Sequence, residues 1–130
     1  MVGKCSLCIY GECLNFDLLT QEMRLSPTKI IHKGENVTAN RRASKDLWSY
    51  GKEITENADF NFVFKNFIQE LQDKKIYLKE INTNDKEIVI NCYLSSDKAQ
   101  MGFSLDIDTM CLLNQLEIQV DFHILSYGMI

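Results

Sequence analysis

The feature that most constrains this chain is the run from Asp59 to Asp73. Within it Phe60, Val63, Phe64, Phe67, Ile68 and Leu71 recur at the i, i+3, i+4, i+7 spacing of one helical face. A stripe that broad and aromatic is stable only when covered, so the run predicts one long helix lying over the main core. Asp59 stands at its start, and Lys74 and Lys75 suit the negative end of its dipole.

The partner layer is written elsewhere, with period two. In Glu87–Leu94, Ile88, Ile90, Cys92 and Leu94 alternate with Val89, Asn91 and Tyr93. Cys5–Leu14 places Cys5, Leu7, Ile9 and Gly11 on one side and Ser6, Cys8, Tyr10 and Glu12 on the other. Strands are also expected at Thr28–Lys33 and Asp46–Glu53, the latter with Leu47, Trp48, Ser49 and Tyr50 in alternation. A short helix carrying Leu18, Leu19 and Met23, capped by Asn15 or Asp17, must stop by Ser26 because Pro27 disfavours helix before it. Residues 76–81 admit a second short helix or a strand, and the lack of clean alternation at Ile76, Lys79 and Glu80 favours the helix.

The end of the chain reads as strand, short helix, strand. Phe103, Leu105 and Ile107 alternate, Asp108 occupies an N-cap position, Met110–Leu116 is helical, and Ile118, Val120, Phe122 and Ile124 alternate again. Aligning position 18 with 111 sets Leu14, Leu19, Met23, Leu25 and Ile31 against Ile107, Leu112, Leu116, Ile118 and Ile124. The two ends therefore resemble each other, through duplication or through a shared packing solution. Together the elements predict one α+β domain over residues 1–130. It has a single mixed, largely antiparallel sheet of about six strands, with one long and two or three short helices packed on one face.

Composition narrows the function classes. With 18 acidic against 14 basic residues and a net charge of −4, the chain lacks the basic footprint of a nucleic-acid binder. No apolar run approaches a membrane span, and the N-terminal residues show no export signal. Five cysteines, mostly in apolar strands, read as free thiols in a reducing cytoplasm. Cys5-x-x-Cys8 should not chelate or form a redox pair, since strand residues three apart point to opposite faces.

Two polar sets are candidate sites. Lys33, Arg41, Arg42, Trp48 and Tyr50 combine residue types favoured at interfaces, and the arginines also suit a phosphate or carboxylate ligand. The alternative for Trp48 is a place in the core. Asp121 and His123 share the outward face of the last strand, and Asp106 with Ser104 is expected on the matching face of the strand before the helix. Tyr93, Tyr10 and Cys8 join them if those strands are neighbours. A histidine beside carboxylates suits a general base or a metal ligand, but the set lacks the spacing of a hydrolase or metal motif. No cofactor is expected.

Leu25, Pro27 and Thr28, then Lys33-Gly34, Trp48-Ser49, Cys92, and finally Asp121, Phe122 and Ile124 resemble the pattern of an uncharacterised family of small bacterial domains of unknown function, of about this length. The likeness covers nearly the whole chain and implies no reaction. Small acidic members of such families resemble immunity proteins that neutralise a toxin. The expectation is therefore a cytoplasmic, non-enzymatic protein acting through a protein partner. The alternative is a small-ligand-binding domain or small enzyme using the outward sheet face or the Arg-Trp loop.

Overall fold

The computed structural model describes residues 1–98 and 100–126. In chain order the elements are β1 (Val2–Gly11), α1 (Phe16–Met23), β2 (Lys29–Ile31), β3 (Asn36–Thr38), β4 (Arg41–Arg42) and β5 (Asp46–Ile54). There follow α2 (Phe60–Leu71), a 3-10 turn (Gln72–Lys74), α3 (Lys75–Ile81), β6 (Lys86–Ser96), α4 (Ile107–Leu116) and β7 (Gln119–Ser126). The main sheet has five strands in the order β2-β5-β1-β6-β7, and β3 and β4 form a separate small hairpin. All pairings are antiparallel except β6 with β7. This is the α+β class that the alternation and the helical stripe imply.

The helical stripe lies where its apolar width demands. Phe60, Phe64, Phe67, Ile68 and Leu71 are buried against Cys5, Leu7 and Ile9 of β1, Trp48, Tyr50 and Ile54 of β5, and Ile88, Ile90, Cys92 and Leu94 of β6. Leu19 and Met23 from α1, Leu78 from α3 and Leu116 from α4 join the same cluster, so α1 to α4 cover one face. Asn15, Asp59 and Asp106 cap α1, α2 and α4 by accepting the N–H of Leu18, Phe62 and Thr109.

One expected strand is replaced by an irregular crossover. Residues 101–106 take no strand pairing, and Asp106 rather than Asp108 is the N-cap of α4. The alternation there still reports burial: Phe103 packs its ring 4.9 Å from Phe60 and 5.5 Å from Phe122. The backbone hydrogen bonds of the β6 edge go instead to β7, which runs parallel to it and so needs a helical crossover. The sheet accordingly has five strands rather than six. The two terminal units are then β1-α1-β2 and β6-α4-β7. Their helices end alike, in left-handed residues Arg24 and Glu117 at φ 55°, which the alignment of positions 18 and 111 superposes.

Candidate functional site

The face of the sheet opposite the helices is open, and the strand registers decide what gathers there. Lys4, Ser6, Cys8 and Tyr10 of β1 sit beside Glu53, Gly51, Ser49 and Leu47 of β5 and beside Tyr93, Asn91, Val89 and Glu87 of β6. β7 adds Asp121 beside Asn91 and His123 beside Tyr93. Although none of the described helices lies over them, Ser6, Cys8, Ser49 and Asn91 are 5% exposed or less. Leu47, Val89 and Cys8 form a small apolar cluster with Tyr10 and Ile31 packed on it. Gly51 keeps the surface low, because a Cβ there would come within 2.6 Å of both the Ser6 hydroxyl and Lys4 Cε.

Asn91 is the hub of a hydrogen-bonded chain across four strands. Its Nδ2 donates to Cys8 Sγ at 3.4 Å, and its Oδ1 lies 3.0 Å from His123 Nε2, which must be the donor. Cys8 Sγ in turn lies 3.6 Å from Ser49 Oγ. The His123 ring stacks on Tyr93 with centroids 4.5 Å apart, and Asp121 accepts from Gln119 at 2.8 Å. Burial is the main cause that pushes the Tyr10 phenol up to about 12 and raises that of Tyr93.

This arrangement orders a surface; it does not activate a nucleophile. A Cys–His couple needs thiol and imidazole in direct contact, whereas Asn91 stands between them here and occupies the proton of His123 Nε2. Two concavities border the chain. One, of about 940 Å³, is lined by Lys4, Glu53, Tyr93, His123, Ile124 and Leu125 among others. The other, about 420 Å³, lies at the opposite end beside the β3–β4 hairpin and takes in Tyr10, Leu47, Glu87 and Arg41.

The structure divides both sets of residues singled out from the sequence. Trp48 is fully buried on the helix side, its Nε1 donating to Thr20 Oγ1 at 3.1 Å. Tyr50 is buried beside it, stacked 6.2 Å from Phe67 and hydrogen-bonded to Glu70, and burial raises its phenol. The two therefore cannot share a binding surface with the arginines. Lys33 pairs with Glu12 at 2.6 Å, its backbone N–H donates to Asp46 at 2.7 Å, and Arg42 is exposed in β4. Arg41 borders the concavity that takes in Tyr10, Leu47 and Glu87 of the open face. Of the second set, Asp121 and His123 lie on it together with Tyr93, Tyr10 and Cys8.

Asp106 does not lie on it. It caps α4 on the helix side, accepting from Thr109 N at 2.8 Å and Asn61 Nδ2 at 2.9 Å. Those hydrogen bonds hold its carboxyl down at about 2. It is apart from Asp121 because the segment before α4 is a crossover and not a strand of the sheet.

Asn91, Ser49, Lys4 and Glu53 were not singled out. The only sequence signal for them was their place on the outward parity of strands, which names a face without naming its neighbours. Cys5 and Cys8 fall on opposite faces, as strand geometry requires. All five cysteines are free, with Cys13 and Cys111 exposed. Burial pushes the Cys5 thiol up to about 12. Among the described residues, no His, Cys, Asp or Glu side chains cluster as a metal site would. No helix among them is long and apolar enough to cross a membrane.

The molecule is thus an α+β domain whose five-stranded main sheet, beside a small two-stranded one, has one helix-covered face and one open, polar-centred face. The chain belongs to the family described as domain of unknown function DUF4279, whose model matches residues 2–127. No curated protein and no solved structure matches it significantly.

Proposed function

We propose that this domain is a non-enzymatic binding protein that takes a protein partner on its open sheet face. Its specific version is a cytoplasmic, toxin-neutralising immunity-type protein of bacteria. The observation that carries the reading is the uncovered face itself. A hydrogen-bonded floor of Ser49, Cys8 and Asn91 is rimmed by the His123–Tyr93 stack, with Tyr93 47% exposed and Leu125 52% exposed beside it. Rigid aromatic groups over an ordered floor are what interface anchors require. The net charge of −4 suits a basic partner.

A small-ligand role is the second reading, and the 940 Å³ concavity with Lys4 and His123 at its wall supports it. Affinity capture from the native cell with the wild-type chain and with Tyr93→Ala, followed by mass spectrometry, separates the two. A protein retained by the wild type and lost from the variant is the expected result. A small molecule retained with no accompanying protein would sink the partner reading and favour the second.

A further inference from the structure

The two edges of the sheet are unlike. β2 is three residues long and carries Lys29, whereas β7 runs eight residues, Gln119–Ser126, with no lysine, proline or glycine to guard it. Phe122, Ile124 and Leu125 on it are 37%, 55% and 52% exposed. A long edge strand, its outward backbone amides and carbonyls unpaired by the sheet, is a template for another strand unless something covers it.

The sequence of β7 states what fits. Read against itself in antiparallel sense about Phe122, Phe122 meets its own copy, Val120 meets the partner's Ile124, and Asp121 meets the partner's His123. The match holds whichever alternate amides of β7 point outward, because both parities are symmetric about Phe122. Only Gln119 against the partner's Leu125 lacks complementarity. Gln119 takes one oxygen of Asp121, and Asn91 takes one nitrogen of His123, so each keeps one polar atom for the cross-pair. On the helix side, Phe122 already closes an aromatic cluster with Phe60 and Phe103, at 6.2 and 5.5 Å, which the second Phe122 would extend.

From this self-complementarity we propose that β7 is a homodimerisation edge, joining two five-stranded sheets into one continuous antiparallel seam on a two-fold axis through Phe122. That axis stands perpendicular to the sheet, so the helices of both protomers lie on one side and both open faces on the other. The proposal goes beyond the partner-binding reading, which needs no dimer, and merges the two open faces into a single surface.

Sedimentation of the full chain over a concentration series, with no partner present, tests it. The wild type is expected at twice the 15.1 kDa of the chain. Asp121→Lys sets a cation against histidine and His123→Glu sets two carboxylates together, and symmetry changes two pairs at once. Each variant alone should weaken the dimer by at least about tenfold. An equimolar mixture of the two restores opposite charges at both pairs and should recover the dimer. A wild type that stays monomeric at every concentration, or a dimer indifferent to both reversals, overturns the proposal. Should either variant misfold by circular dichroism, wild-type hydrogen exchange decides instead. Protection of β7 amides that rises with concentration supports the seam, and protection independent of concentration refutes it.

Discussion

On the covered face, Trp48, Phe64 and Ile90 lose all contact with water by packing apolar surface under helices. On the open face, Cys8, Ser49 and Asn91 reach nearly the same burial with none of the described helices above them. The first relies on area removed from water. The second relies on polar atoms satisfying one another, closely set side chains and a glycine that keeps the surface flat. One sheet therefore buries residues by two mechanisms, and they should fail differently.

Deleting a ring from the covered face should do the greatest damage. Phe64→Ala leaves a cavity where α2 meets the sheet and should cost about 3–5 kcal/mol in urea unfolding. A loss below about 1 kcal/mol would mean that this face is not the main source of stability. On the open face, Asn91→Leu removes one of the partners of Cys8 and the acceptor of His123 Nε2, and should cost about 1–3 kcal/mol. Thiol labelling sharpens this contrast. In the folded wild type Cys13 and Cys111 should react first, while Asn91→Leu should release Cys8 and leave Cys5 and Cys92 protected until global unfolding. If Cys5 and Cys8 become reactive together, the two faces unfold as one unit.

A smaller effect probes the single side-chain hydrogen bond of the largest core residue. Thr20→Val removes the acceptor of Trp48 Nε1 and should cost about 1 kcal/mol, read with the fluorescence of the single tryptophan. The smallest expected effect concerns Asp106. Its carboxyl is depressed to about 2 from an ordinary 3.8, so its contribution is complete above the ordinary range and is lost as pH falls through about 2. Asp106→Asn should therefore flatten the acid limb of the stability curve. An unchanged limb would show that the cap does not tie α4 to α2.

Local patterns carried most of the fold. The Phe-rich stripe specified α2 and its buried face, Asp59 marked its start, Asn15 or Asp17 bracketed the start of α1, and the alternation of Ile88 to Leu94 specified both faces of β6. Misreading arose where one signal admits two structures. Phe103 and Leu105 alternate as strand residues do, yet they serve a crossover whose rings pack without pairing. Leu47, Trp48, Ser49 and Tyr50 alternate with bulky residues at both parities, so periodicity did not say which side the helices cover. By that pattern the tryptophan beside the arginines suits either an interface or the core, and the structure gives it to the core.

The candidate site was legible only as fragments. Asp121 with His123, and Asn91 with Tyr93, could be placed on outward faces because a strand's period is two. Their assembly depends on contacts such as Asn91 with Cys8, 83 residues apart in the chain. The sequence alone therefore determined the long helix and its buried face, the start of that helix at Asp59, and which side chains of β1, β6 and β7 share a face, all consequences of backbone periodicity and local hydrogen bonding. Tertiary structure decided that β1 is central, that β7 runs parallel beside β6, and that His123, Asn91, Cys8 and Ser49 form one chain. Those outcomes follow from competition among strand edges for hydrogen-bond partners, which no local window of sequence contains.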